Sequence, residues 1–480
     1  MSRFSARRAE AGRLGEWRAE ARATLSLAWP LAVTNLSQMA MALTDMAFLG
    51  RLSTEAVAAA TLGANLFYAV LSVFIGLGFA SAAMLARQRG AKRHSVREMR
   101  RTVRQAIWAG LAVFPLALAA LWWTEPVLLA MGQDAAAATP AQDYTRALVW
   151  GVAPFAGFLV LRGFLAALER PAPALWISLG AVLLNALLDW VLIFGTPLTP
   201  AMGVTGAGLA SALSNLAMFL GLALWIALAR RTRRYRLAGR FWRADWPRFV
   251  ELFRLGLPIA GMLALEIAVF SSAAIFVGWF GAQAVAAHAI AIHAASTTFM
   301  VPMGIGQAAT ARVGLFAGAG AVAAARRAGF VAIGLGAVFM AASAATFMLL
   351  PATIARGFLD PSLPGAAEAL ALAVPLLIVA GIFQLADGVQ TCAAGALRGL
   401  ADTAAPMWIA AGGYWGVGLP VGLLLALPLG LGPLGIWIGL ALGLAVVAAL
   451  LTARWVVRSR RGVPLAAAAQ PLLPSGPSPA

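Results

Sequence analysis

Residues 27–52 read LAWPLAVTNLSQMAMALTDMAFLGRL. The apolar run that contains them, from Thr24 to Gly50, outlasts the roughly 20 residues that a helix needs to cross the hydrocarbon core of a bilayer. A single acid, Asp45, interrupts it. Leu66 to Ala86 and Ile436 to Val457 are runs of the same kind, and the polar breaks between such runs leave room for about twelve helices. Of the 480 residues 61% are hydrophobic and 11% are charged, where soluble domains carry about 25% charged residues. The fold class expected is therefore an all-α integral membrane protein that lives in the lipid bilayer.

The opening stretch recurs. At an offset of 228, Pro30 falls on Pro258, Gln38 on Glu266, Gly50 on Gly278, and Val57-Ala58-Ala59 on Val285-Ala286-Ala287. At 229, Gly203 falls on Gly432, Gly206 on Gly435, and Ala167-Leu168 on Ala396-Leu397. With six helices in each half, both halves start on the same side of the membrane and are related by an axis along its normal. This is the parallel-repeat plan of secondary transporters, with the substrate between the repeats. The expected layout is a cytoplasmic segment at 1–23, a six-helix bundle at 24–229, a basic linker at 230–254, a second six-helix bundle at 255–458 and a disordered tail at 459–480. Pro30, Pro154, Pro258 and Pro375 lie inside helix-length runs, where each removes a backbone hydrogen bond and bends the helix. Pro30 and Pro258 are the candidate hinges.

The formal charge of +18 invites a nucleic-acid reading, and its distribution excludes one. Arginines collect at Arg3 to Arg22, Arg87 to Arg104, Arg230 to Arg254, Arg326-Arg327 and Arg454 to Arg461, which are alternate connections. The positive-inside rule then places those loops and both termini in the cytoplasm, as in a multi-pass protein of the bacterial inner membrane. The single cysteine, Cys392, excludes a disulfide framework and reads as a small buried side chain. The polar, basic first 22 residues do not read as a removable signal peptide. Lys92 is followed by Arg93, so no phosphate-binding loop exists to hydrolyse ATP. The chain is not expected to be an enzyme or to need a cofactor, and a gradient must drive any uphill transport.

Eighteen acids are present, and four of them, Asp45, Asp189, Glu266 and Asp387, fall in mid-helix. An ionised acid there costs on the order of 2.5 to 3.5 kcal/mol, so such residues face cavities and serve function. Arg162 and Arg398 read as cytoplasmic helix ends, which leaves the acids without basic partners. A bound cation, a proton or polar neighbours must then satisfy them. Helical spacing supplies those neighbours: Gln38 shares a face with Asp45, Asn185 with Asp189, and Gln384 and Thr391 with Asp387. Carboxylate, amide and hydroxyl oxygens suit a hard cation such as sodium, and a desolvated carboxyl suits a proton. Glu266 shares its face with Met262 and Phe270, negative charge beside apolar surface that fits a lipophilic organic cation. Met39 near Asp45 is a candidate cavity-lining residue. His288 and His293 are five apart and do not form the one-face pair that a metal needs; core packing is the expectation for both.

Several stretches together resemble the multidrug and toxic compound extrusion (MATE) transporters, and in particular their NorM-like branch. They are residues 27–52, LRGFLAALERPAPAL (161–175), LLNALLDWVLIFG (183–195), GLPIAGMLALEIAVF (256–270), AAHAIAI (286–292), FMVPMGIGQAATARVG (299–314) and LADGVQTCAAGALRGLADTAAPM (385–407). The resemblance implies export of cationic or aromatic organic compounds in exchange for sodium ions or protons, by alternating access between two bundles. It places Asp45, Asn185, Asp189 and Ser211 at the cation-coupling positions of the first bundle, and Glu266 and Asp387 at those of the second. Sodium at either carboxylate set remains open, as does the choice between sodium and protons. The chain departs from the family pattern at Ala86-Arg87-Gln88-Arg89-Gly90, where little effect on transport is expected, and at His293, where an asparagine is common.

The alternative within transport is a lipid-linked precursor flippase, which shares the architecture but would need basic residues in the central cavity, and none is evident in the sequence. A non-transporting scaffold would have no need of four mid-helix acids. A monomer acting on small organic cations is the expectation.

Overall fold

The computed structural model describes residues 2–91, 95–197, 199–239, 241–359 and 365–460. Expectations for the tail beyond residue 460 fall outside them. Twelve long helices account for nearly all of the described chain. They are α1 (Ser2–Gly50), α2 (Thr54–Ala91), α3 (Ser95–Trp122), α4 (Ala135–Ala167), α5 (Ala172–Phe194) and α6 (Gly203–Leu228) in the first half. In the second half they are α7 (Trp246–Gly278), α8 (Ala282–Gly318), α9 (Val322–Leu349), α10 (Ala366–Gly399), α11 (Ala404–Ala426) and α12 (Gly432–Arg460). Among the described residues eleven are long and apolar enough to cross a membrane. The remaining one, α1, has its apolar content lowered by Thr34, Asn35, Ser37, Gln38, Thr44 and Asp45, a first hint that its inner face is polar by design. Helix runs through both expected boundaries: α1 continues through residues 2–23, and α7 starts inside the basic linker at Trp246, where Pro247 takes the first turn.

The repeat is visible in the backbone. Short helices, Thr124–Ala130 and Pro351–Phe358, follow the third long helix of each half. Glu169 (φ 59) and Ala401 (φ 60) both turn left-handed just beyond α4 and α10. At those turns Arg170 donates its amide to the Leu165 carbonyl (2.9 Å) and Asp402 donates its amide to the Leu397 carbonyl (3.0 Å). Matching the turns pairs Leu168 with Leu400, which corrects the alignment of Ala167-Leu168 with Ala396-Leu397. The second half carries extra residues before α10 and a shorter connection before α12, so the offset drifts upward and returns.

Helix pairing obeys the same symmetry. Within the first half α5 packs on α1 and α6, and α4 packs on α2 and α6; within the second α10 packs on α8, α9 and α12, and α11 packs on α12. Across the halves α1 packs on α8 and α2 on α7. These two contacts exchange when the halves are interchanged, as a two-fold axis between parallel repeats requires.

The halves meet closely at the end where the arginines gather. Arg312 of α8 holds Glu20 of α1 (2.6 Å) and pairs with Glu169, while Arg327 of α9 pairs with Glu16 of α1. Arg101 of α3 holds Asp245 ahead of α7 (2.7 Å). Backbones nearly touch there: a Cβ added to Gly90 would stand 1.9 Å from the Leu315 carbonyl oxygen, and one added to Gly318 would stand 1.9 Å from that of Arg87. Glycine is the residue that permits this approach. The departure at residues 86–90 therefore lies in the seam between the halves and not in a free loop.

Candidate cation sites and the cavity between the halves

The first cluster is assembled from three helices. Asp45 on α1 is 3% exposed and accepts hydrogen bonds from Asn185 Nδ2 on α5 (3.0 Å) and Ser211 Oγ on α6 (2.6 Å). Asn185 thus reaches across to Asp45, although helical spacing had paired it with Asp189. Asp189, one turn beyond Asn185, is fully buried and stands within hydrogen-bonding reach of Asp45. Two carboxyls in that position are stable together only with a proton or a cation between them. Both Asp189 oxygens and Asn185 Oδ1 lack a donor among the described residues, and a buried acceptor without a donor costs roughly 1 to 3 kcal/mol. An all-oxygen set of this kind fits a proton or a sodium ion. Gln38 does not join it in any described hydrogen bond, and its Nε2 lacks a partner. Met39 is half-buried on the same helix.

The second cluster lies on α7 and α10. Asp387 is 5% exposed, and its Oδ1 lacks a donor, as does Gln390 Oε1 one turn on. Glu266 opens on a cavity lined also by Met262, Phe299, Met303, Gln390 and Thr391. Met262 and Thr391 lie on this cavity's wall; Phe270 packs edge-on against Phe383 (5.8 Å between centroids) in the core. Gln384 is also spent on packing, accepting from Ser343 (2.6 Å) and Thr298 (2.8 Å). Carboxylate, amide and hydroxyl oxygens are again at hand for a hard cation.

A group missed by sequence reasoning supports this cluster from α11. Residues Gly412–Gly418 form a π-helical turn, a feature that often marks functional sites. It turns Tyr414 inward, where its hydroxyl accepts a hydrogen bond from Gln390 Nε2, and lets Trp415 donate to the Leu265 carbonyl next to Glu266 (3.2 Å). The signal in the sequence is the run GGYWGVG, whose four glycines flank two aromatic residues.

His288 is core packing: its Nδ1 accepts from Trp437 Nε1 (3.2 Å). His293 is exposed and not buried in the core as expected. Among the described residues no three His, Cys, Asp or Glu side chains gather as a metal site. Cys392 is fully buried. At the candidate hinge in α1, Thr34 Oγ1 donates to the Pro30 carbonyl (2.7 Å), a back-bond that favours bending beside the missing proline amide. Pro258 likewise lies inside α7.

Arg162 and Arg398 require a correction. Arg162 is 4% exposed, inside α4 and not at its tip. Arg398, at the end of α10, lies back over the ring of Phe79 on α2, with Cζ 4.9 Å from its centroid. Both line a cavity between the halves, and Arg398 also lines the one on which Glu266 opens. Gly163 packs against Ala82 of α2 and Gly395 against Gly306 of α8, each within its own half, so α4 and α10 sit tight on the two helices that border the space between the halves. Basic residues are therefore present in the central region, and their absence does not separate an exporter from a lipid-precursor flippase.

The family comparison makes that separation on other grounds. A single family model, MatE, matches the chain twice, over residues 30–191 and 258–424. The chain belongs to the MatE family. The two MatE matches start 228 residues apart, the offset at which Pro30 falls on Pro258. Over 450 residues, 94% of this chain and 96% of the relative, it is 51% identical to the "Probable multidrug resistance protein NorM" of Mesorhizobium japonicum. It is 44% identical to the protein of the same name in Brucella suis, over 92% of this chain and 93% of the relative. Its fold is that of a Vibrio cholerae MATE transporter, VcmN, solved as a mutant, with a TM-score of 0.84 over 93% of this chain and 98% of that one at 18% identity.

Proposed function

We propose that this MatE protein is a secondary antiporter of the inner membrane that exports cationic or aromatic organic compounds in exchange for protons or sodium ions. The observation that carries the reading is the pair of buried carboxylate clusters with donor-less oxygens, one in each half, together with the cavity on which Glu266 opens. Each can hold a cation and release it when its helices shift. The NorM names of relatives up to 51% identical favour drug export over the flippase alternative.

Orientation follows the arginines: the basic ends, the linker and both chain ends lie on the cytoplasmic side. The described state is then closed on the cytoplasmic side, where the ion pairs between the halves lie. Cation binding between Asp45 and Asp189 neutralises charge that would otherwise repel, which permits α1 to bend at Pro30 and the lobes to rock apart at the basic end. In the second half Glu266 presents charge to an apolar cavity walled by Met262, Phe299 and Met303, where an organic cation finds both Coulomb attraction and buried surface. Both clusters and the cavity are complete in one chain, which supports a monomer as the working unit.

The test is export of an organic cation such as ethidium from proteoliposomes under an imposed proton or sodium gradient. Gradient-dependent movement is expected. No movement under either gradient overturns the proposal.

A further inference from the structure

We infer that the buried Arg162 and the half-buried Arg398 form an anion subsite that takes the carboxylate of a zwitterionic aromatic cargo, alongside the acids that take its cationic end. This rests on the export reading above and extends it to the polarity of the cargo.

Arg162 is more than nine-tenths buried, yet its described partner is neutral: Nη1 donates to Asn35 Oδ1 (3.0 Å). Gln307 of the opposite half donates to the same oxygen (3.4 Å), so Asn35 is already shared between two donors. A buried guanidinium needs a counter-charge, since removing an ion from water costs several kcal/mol that neutral acceptors repay only in part. The cavity it lines, with Leu31, Gly78, Gln307, Thr310 and Arg398 among the walls, includes no Asp or Glu among the described residues. Arg398 shares the neighbouring cavity with Glu266, but its Nε donates to a backbone carbonyl within its own helix, that of Ala394 (3.3 Å), and its guanidinium lies over Phe79, with no carboxylate in a described ion pair. Two guanidinium groups, one from each half, therefore border one interior space with no carboxylate on its wall.

That space adjoins the Glu266 cavity, because Phe79 and Arg398 line both. An aromatic molecule spanning them would set a cationic group toward Glu266 and a carboxylate toward Arg162 and Arg398. Guanidinium is suited to grip a carboxylate through paired N–H donors, and the Phe79 ring offers a stacking surface between.

The test uses two fluorescent xanthene dyes that differ at one group, a rhodamine with a free benzoic acid and its methyl ester. Both are cationic on the ring, and the acid is the zwitterion. Dissociation constants are measured by anisotropy with the full-length protein in detergent. Arg162→Gln and Arg398→Gln are each expected to shift the acid-to-ester ratio of dissociation constants about tenfold against the acid, the size of one lost charged hydrogen bond. An unchanged ratio in both variants overturns the subsite and leaves the arginines as contacts between the halves. A measurement on the unaltered protein removes dependence on variant folding: free benzoate is expected to weaken binding of the acid and not of the ester. Equal weakening of both, or of neither, overturns the subsite. If the unaltered protein binds neither dye, the export reading fails and the subsite with it; if it binds the ester and fails the ratio test, the subsite alone fails.

Discussion

Replacing Arg312 by Met should unlock the basic end of the molecule. The Arg312 guanidinium is 12% exposed and is held by Glu20, 4% exposed, at 2.6 Å, with the more exposed Glu169 as a second partner. Breaking a fully buried pair by removing one partner costs about 3 to 5 kcal/mol, and an exposed pair is worth about 0 to 1 kcal/mol. This pair lies nearer the first case, and about 2 kcal/mol is a working value. Met keeps an unbranched stem of similar reach but removes the guanidinium that lies over Phe316, so both the ion pairs and that cation–π contact are lost. Because the pair joins α8 to α1, it stabilises only the state in which the basic ends are together. Losing about 2 kcal/mol moves the equilibrium toward the separated state by roughly 30-fold. Spin labels at Ala91 and Ala323, both exposed and on opposite halves at that end, report the separation by double electron–electron resonance in a Cys392→Ala background. Arg312→Met should enrich a longer distance, and Arg312→Lys should restore part of the short one. An unchanged distance distribution in Arg312→Met refutes the view that this ion pair holds the halves together.

Gly90→Ala brings a methyl within 1.9 Å of the Leu315 carbonyl oxygen and should move the same distance distribution in the same direction, at a cost of about 1 to 3 kcal/mol. Asp45→Asn keeps an acceptor for Asn185 or Ser211 but abolishes the carboxyl pair with Asp189; insertion and folding should persist while gradient-driven export falls at least tenfold. Full export would remove the first cluster from the coupling step. Tyr414→Phe takes from Gln390 Nε2 its acceptor beside an Oε1 that already lacks a donor, so melting in detergent should show a loss of about 1 to 3 kcal/mol; no shift would detach the π-helical turn from the second cluster.

Much of the fold was legible in residues 27–52 and their echo 228 positions later, because helix length and repetition are written in hydrophobicity. The four mid-helix acids were legible for the opposite reason, as charge where lipid forbids it. Their partners were less so: Ser211 lies 166 residues from Asp45, and Asn185 serves that acid instead of the neighbour on its own helix, which spacing alone does not decide. Arg162 and Arg398 were misread because arginine near a helix end ordinarily satisfies the positive-inside rule. Only the tertiary structure shows that both line the space between the halves. The π-helical turn was silent because glycine-rich apolar sequence is compatible with an ordinary helix.

Antiport requires that organic cation and inorganic cation move in coupled, opposite directions. In sealed proteoliposomes with no imposed ion gradient, an ethidium gradient across the membrane should drive protons or sodium ions in the opposite direction, followed with an internal pH dye or with radioactive sodium. The predicted flux requires the carboxylates and is lost when Asp45→Asn and Asp387→Asn are combined. Ethidium crossing through the protein with neither ion moving against it would contradict antiport.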